Sequence, residues 1–178
     1  MGEKTEGLSQ VLRGDQRTQG VWGEIVLRTL LEKSGLREGV NFFEQGKGFN
    51  LKNEEGRLLK PDVLIKMPGE GENKSEVVIV DSKVSLSAYN RYVNTKSSEE
   101  KKAHLQQPLL SIRSHITNLS EKRYETAEGL LTVDYVMLFM GIESALITAM
   151  DEDPSLQDLS IEQNLVLVSQ SMMLPALR

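Results

Sequence analysis

Two short apolar runs, Val63-Leu64-Ile65 and Val77-Val78-Ile79-Val80, flank the polar stretch Pro68-Gly69-Glu70-Gly71-Glu72-Asn73-Lys74-Ser75. This pattern limits the possible folds more than any other in the chain. Runs of this length bounded by turn formers predict paired antiparallel strands. Their wholly apolar centres suit strands buried on both faces, so the hairpin belongs inside a sheet covered by helices. With the loop centred between Gly71 and Glu72, Asp62 lies opposite Asp81, and Lys83, two residues on, shares the Asp81 face. Directly opposed carboxylates destabilise a strand pair by up to roughly 1 kcal/mol. A divalent cation between them, with the lysine beside it, would offset that repulsion, and hard cations such as Mg2+ take oxygen ligands of this kind. A hairpin whose polar ends are simply solvated is the other reading, and the residues alone leave both open.

Upstream, residues 1–19 form a polar lead-in or the end of an amphipathic helix, with Leu8, Val11 and Leu12 as isolated apolar points. A helix is predicted over 21–34, stopped by Gly35 as a left-handed cap. Glu24 lies three and seven positions before Leu27 and Leu31, so it shares their apolar face. An acid there either has a partner or is held by the dipole at the first helical turn. A first strand is expected over 40–45, with Gln45 at its end facing either the site or solvent, and residues 49–59 extend it or form a loop.

Downstream, a short helix is expected over 86–94. Ser97-Ser98-Glu99-Glu100 then reads as an N-cap with acids in the first turn of a helix running to about residue 124. Leu105, Leu109, Ile112, Ile116 and Leu119 fall on one stripe of it, and Lys101, His104, Ser111, His115 and Lys122 along the border. That border could receive a phosphate backbone or be a solvated flank with one histidine at the core edge. The two histidines are too far apart for an i, i+4 metal pair, which argues against zinc. Pro108 predicts a kink or break near Gln107. A buried strand is expected over 131–140 with Gly141 closing it, then a helix over 143–150 ended by Asp151-Glu152-Asp153-Pro154, a strand over 164–169 and the start of a helix from Ser171.

The chain has 178 residues, enough for one domain with a sizeable core. Hydrophobic residues are 39% and charged residues 26%, which excludes wholesale disorder, and aromatics at 5% make the core mainly aliphatic. A net charge of -5 gives no global attraction to nucleic acid or anionic membranes, so such a partner requires a local basic patch or metal ions. With no cysteine there are no disulfides, thiolate zinc sites or cysteine nucleophiles. No apolar run of about 18 residues and no secretory signal is present, so no membrane contact is expected of this segment and its expected compartment is the cytoplasm. Internal repeats, a Walker A loop and a dinucleotide fingerprint are absent.

The helix with Glu24, Pro61-Asp62, the hairpin and Asp81-Ser82-Lys83 resemble the PD-(D/E)XK nuclease arrangement. More specifically, Gly20-Val21-Trp22-Gly23-Glu24, Lys60-Pro61-Asp62-Val63, the run from Val80 through Asp81-Ser82-Lys83-Val84-Ser85-Leu86-Ser87-Ala88 to Tyr89, His115-Ile116, Leu119-Ser120-Glu121-Lys122 and Tyr124 resemble the RmuC family of bacterial DNA recombination proteins. The resemblance covers most of residues 20–178. It implies an α/β, restriction-endonuclease-like domain over 20–178, excised from a longer chain, with a mixed central sheet flanked by helices. Family members usually carry an amino-terminal membrane anchor or coiled coil, and oligomerisation through such helical flanks is an expectation here.

The function implied is metal-dependent hydrolysis of DNA, limiting rearrangement at inverted repeats, with branched or hairpin-forming DNA among the substrates. Asp62 and Asp81 are expected to bind Mg2+ or Mn2+, helped by the Ser82 carbonyl. Lys83 would orient or activate the attacking water, and Glu24 would hold a second ion or its water. His104, His115, Lys122 and Gln45 are the candidate DNA contacts. The competing expectation is a non-catalytic DNA-binding or scaffolding protein that keeps the fold.

Overall fold

The computed structural model describes residues 16–53, 55–67, 76–82, 86–122, 124 and 131–177. Lys83 and the hairpin loop lie outside the described residues.

Five strands form one mixed sheet in sequential order: β1 (Phe42–Glu44), β2 (Val63–Lys66), β3 (Glu76–Asp81), β4 (Leu131–Met140) and β5 (Leu165–Ser169). β1, β2 and β3 pair antiparallel, while β3, β4 and β5 pair parallel. Parallel neighbours require crossovers, and helices supply them. α2 (Leu86–Asn94) and α3 (Ser98–Ser120) link β3 to β4, and α4 (Glu143–Glu152) and α5 (Ser155–Glu162) link β4 to β5. α1 (Gln16–Lys33) precedes the sheet and α6 (Gln170–Ala176) follows it.

The alternation of side chains along each strand separates two cores. Ile79, Val136, Leu138, Met140, Leu165 and Leu167 face α3, α4 and α5. Val63, Ile65, Val78, Val80, Met137, Phe139 and Val168 face Leu27 and Leu31 of α1 and Met173 of α6. A smaller cluster of Leu51, Leu64 and Val77 sits under the loop after β1. Both faces of the sheet are therefore covered, as the apolar strand centres require.

α1 starts at Gln16, earlier than expected, and ends as predicted at Gly35, whose φ is 86°. The Leu36 N–H donates to the Leu31 carbonyl at 3.1 Å and the Gly35 N–H to the Glu32 carbonyl at 3.0 Å, a Schellman closure. A Cβ on Gly35 would meet nothing within 4 Å, so only the backbone resists substitution. Gly35→Ala is expected to cost about 1 kcal/mol, read from the urea unfolding midpoint. Arg28 then ties α1 to the sheet edge, its Nη2 donating to Glu38 at 2.8 Å and Glu44 at 2.7 Å.

α3 begins at the expected cap, where the Ser97 hydroxyl accepts from the Glu100 N–H. Of the kink or break expected at Pro108, a break does not occur, since the helix runs through it. Pro108 lies on the buried stripe with Leu105, Leu109, Ile112, Ile116 and Leu119. One backbone bond is forgone there, and packing on both sides holds the helix together. α5, unanticipated in the sequence, buries Leu156 and Ser160. The described residues of 49–59 lie outside the named strands and carry an isolated bridge between Lys52 and Leu58.

Candidate functional site

The β2–β3 register pairs Val63 with Val80 and Leu64 with Ile79, and continuing it by one position sets Asp62 opposite Asp81. Both acids lie at the sheet rim, where β2 begins and β3 ends. By alternation they project with Leu64 and Ile79 toward the α3 side. The N–H of Ser82, just past the end of β3, donates to Asp62 Oδ2 at 2.8 Å, tying the two strands across the rim.

Asp81 is only 2% exposed. A carboxylate removed from water requires paired charge or hydrogen bonds. Two residues of the α3 unit supply them. His115 Nε2 lies 2.9 Å from Asp81 Oδ2, and Lys122 Nζ donates to Asp81 Oδ1 at 3.3 Å. Burial works to raise the Asp81 carboxyl, but the His115 hydrogen bond and the Lys122 ammonium outweigh it and hold it below the usual carboxylate range. His115 lies on α3 and Lys122 two residues past its end, and their side chains converge on Asp81. Ile116 and Leu119, buried between them, fix that face against the core.

Asp62 is less well compensated. Burial, then the neighbouring Asp81 charge, push its carboxyl up to about 6, with Glu24 adding to the rise and the Ser82 N–H and Lys122 opposing it. Lys122 thus acts on both carboxylates. Its ammonium also stands 5.5 Å from the centre of the Tyr124 ring, within cation–π range. Tyr124 is buried, and burial together with Asp81 and Asp62 pushes its hydroxyl upward, so it remains a neutral donor.

Glu24 arrives from the opposite layer. α1 packs on the far face of the sheet, and Gly23 lets it come close, since a Cβ there would sit 3.4 Å from the Ser82 carbonyl oxygen and 3.6 Å from its Oγ. The Ser82 Oγ is buried with no hydrogen-bond partner among the described residues. The Ser82 carbonyl therefore abuts Gly23. Glu24 is close enough for its charge to act on Asp62. Gln45, with φ 51°, donates its N–H to the Asp62 carbonyl oxygen at 2.9 Å while its side chain is exposed. His104 is three turns back along α3, about 16 Å from His115 by helical rise, and does not join the cluster.

The structure thus brings together Asp62, Asp81, His115 and Lys122, with Glu24 within charge range. His115 and Lys122 hold Asp81, a role that the border-stripe reading did not assign them, and Tyr124 is an addition. Among the described residues no three His, Asp or Glu side chains are grouped to cage a metal. Mg2+ does not need such a cage. It is commonly held by one or two carboxylates and keeps several waters, so the Asp62–Asp81 pair, with one acid undercompensated, fits it chemically.

A family model described as the RmuC family matches residues 1–178. The chain belongs to the RmuC family. Among RmuC relatives, the DNA recombination protein RmuC homolog of Vibrio cholerae is 40% identical over all of this chain, which covers 33% of that protein. The homolog of Pseudomonas aeruginosa is 41% identical, with 37% of its length covered, and the DNA recombination protein RmuC of Escherichia coli is 38% identical, with 36% covered. The chain therefore spans about a third of the length of these RmuC proteins and matches it end to end. No solved structure matches the chain. Among the described residues, no helix is long and apolar enough to cross a membrane.

Proposed function

We propose that this RmuC-family chain carries a metal-dependent DNA nuclease site of the PD-(D/E)XK kind, used in DNA recombination and in limiting rearrangement at inverted repeats. The observation that carries the reading is the rim pair of half-buried Asp62 and buried Asp81, held opposite each other by the strand register with the Lys122 ammonium alongside. Asp62 and Asp81 would hold Mg2+ or Mn2+, and Glu24 a second ion or its water. A cation bound there polarises a phosphodiester and lowers the pKa of bound water.

The chain's own groups do the rest. The His115 contact fixes the Asp81 carboxylate, and the Ser82 N–H fixes Asp62. Lys83 steadies charge on the attacked phosphate, since an ammonium is a compact donor suited to a developing oxyanion. Gln45, beside the Asp62 backbone, and His104, further along α3, are candidate backbone contacts for a duplex or branched DNA laid across the rim. Work on DNA would set this domain in the cytoplasm.

The second reading is a DNA-binding or scaffolding domain without turnover. It is favoured by one feature, the engagement of both Asp81 oxygens by His115 and Lys122. Cleavage assays on linear, nicked and branched DNA with Mg2+ or Mn2+, comparing the unaltered chain with Asp81→Asn and Lys83→Ala, separate the two. Metal-dependent products that disappear in Asp81→Asn are expected. DNA binding with no product under any condition would leave the scaffolding reading standing.

A further inference from the structure

We propose that Lys122 is an exchangeable counter-cation, which occupies Asp81 in the metal-free protein and competes with the divalent cation for that carboxylate. This rests on the reading of Asp62 and Asp81 as metal ligands, and it assigns to Lys122 a role other than a standing DNA contact.

Three observations support it. Asp81 is 2% exposed, so its negative charge requires a paired charge or hydrogen bonds whether or not a metal is bound. Its two oxygens are held unequally. His115, the more buried partner, is 2.9 Å from Oδ2 on a rigid helix, whereas Lys122, with its side chain 39% exposed, is 3.3 Å from Oδ1 and lies beyond the last turn of α3. The ammonium is therefore the partner able to leave, having a flexible stem, access to water and the Tyr124 ring face close by. Lys122 also acts on both Asp62 and Asp81, the position from which one cation compensates the pair. A divalent cation bound to the same carboxylates repels that ammonium, so the two do not share Asp81 Oδ1. The displaced ammonium remains at the rim, where it can meet a phosphate oxygen.

The test reads metal occupancy, not cleavage. Mn2+ binding is titrated at neutral pH by electron paramagnetic resonance on the intact chain, on Lys122→Met and on Lys122→Arg, with Asp81→Asn as the site control. Thermal unfolding of each variant without metal is measured alongside. Lys122→Met is expected to bind Mn2+ roughly three- to tenfold more tightly, the scale for removing one partly exposed competing charge. Lys122→Arg, whose planar fork pairs more firmly with a carboxylate, is expected to bind more weakly than the unaltered chain.

Unchanged or weaker Mn2+ affinity in Lys122→Met overturns the proposal, because a purely structural ion pair would lower the metal-free unfolding temperature without improving metal binding. Should Lys122→Met fail to fold, Lys122→Arg decides, with equal or tighter binding overturning the proposal. No Mn2+ binding by the unaltered chain overturns it together with the metal-ligand reading. An affinity gain in a protein that cleaves no DNA supports the exchange and counts against the nuclease reading alone.

Discussion

Asp62→Asn is expected to stabilise the metal-free protein at neutral pH and, on the proposed nuclease reading, to abolish metal-dependent cleavage. Asp62 is half-buried beside Asp81, and its carboxyl is pushed up to about 6 from an ordinary value of 3.8. A carboxyl whose folded-state pKa is raised contributes stability that is fully present below its unfolded value and is lost as the pH rises through the folded value. The loss therefore falls between about pH 4 and pH 6 and is complete at pH 7. A shift of this size corresponds to on the order of 3 kcal/mol. An asparagine keeps an acceptor for the Ser82 N–H and carries no charge to repel Asp81. Urea unfolding of both proteins at pH 4 and pH 7 should show a stability gap that opens with pH in favour of the variant. Asp81, held low by His115 and Lys122, has the opposite dependence and loses its contribution as the pH falls; with the Asp62 charge removed its carboxylate is less opposed, which widens the gap at pH 7. A neutral amide is also a poor ligand for Mg2+ in place of a carboxylate, so DNA cleavage by Asp62→Asn should fall by at least about 100-fold, the scale for removing one preorganised electrostatic group. A variant less stable at pH 7 than the unaltered chain would show that Asp62 is compensated in the folded protein.

Ile116→Ala is expected to give the largest loss of stability tied to the site. Ile116 is 0% exposed and packs in the cluster that includes Ile79 and Leu138. Truncating a buried isoleucine costs roughly 2–5 kcal/mol through lost transfer energy and the cavity left behind. For a domain of this size that lowers Tm by roughly 2–4 °C per kcal/mol. Because His115 is the next residue, a loosened α3 should also weaken the hold on Asp81, so that metal-free Asp81 becomes easier to protonate. Leu110, on the same helix but 59% exposed, is the control, and Leu110→Ala should stay within about 0.5 kcal/mol. Calorimetry of the two variants gives the comparison directly.

Much of this architecture was legible in the residues. The apolar runs around 63–65 and 77–80 predicted the hairpin, the symmetric spacing about Gly71 and Glu72 predicted that Asp62 opposes Asp81, and the β2–β3 register carries that pairing. Leu86–Asn94 and Leu131–Met140 coincide with the expected ranges. Two local signals misled. Pro108 argued for a kink or a break, and packing of the buried stripe carries the helix through it without a break. α5 escaped notice because its eight residues follow Pro154 directly, with no side-chain cap hydrogen bond to announce them.

The sequence by itself determined which residues carry charge at the strand ends and which strand faces must be buried, since both follow from the two-residue period of a strand and the turn-forming residues between. Only the tertiary structure decided who partners whom. His115 and Lys122 were visible as a polar border on a helix, but that they close on Asp81, 34 and 41 residues earlier in the chain, depends on where the crossover lays α3 on the sheet. Glu24, likewise, is set on the opposite layer and reaches Asp62 only around the rim where Gly23 meets Ser82. Periodicity fixes the direction in which a side chain points along its own element, and long-range packing fixes what stands in front of it.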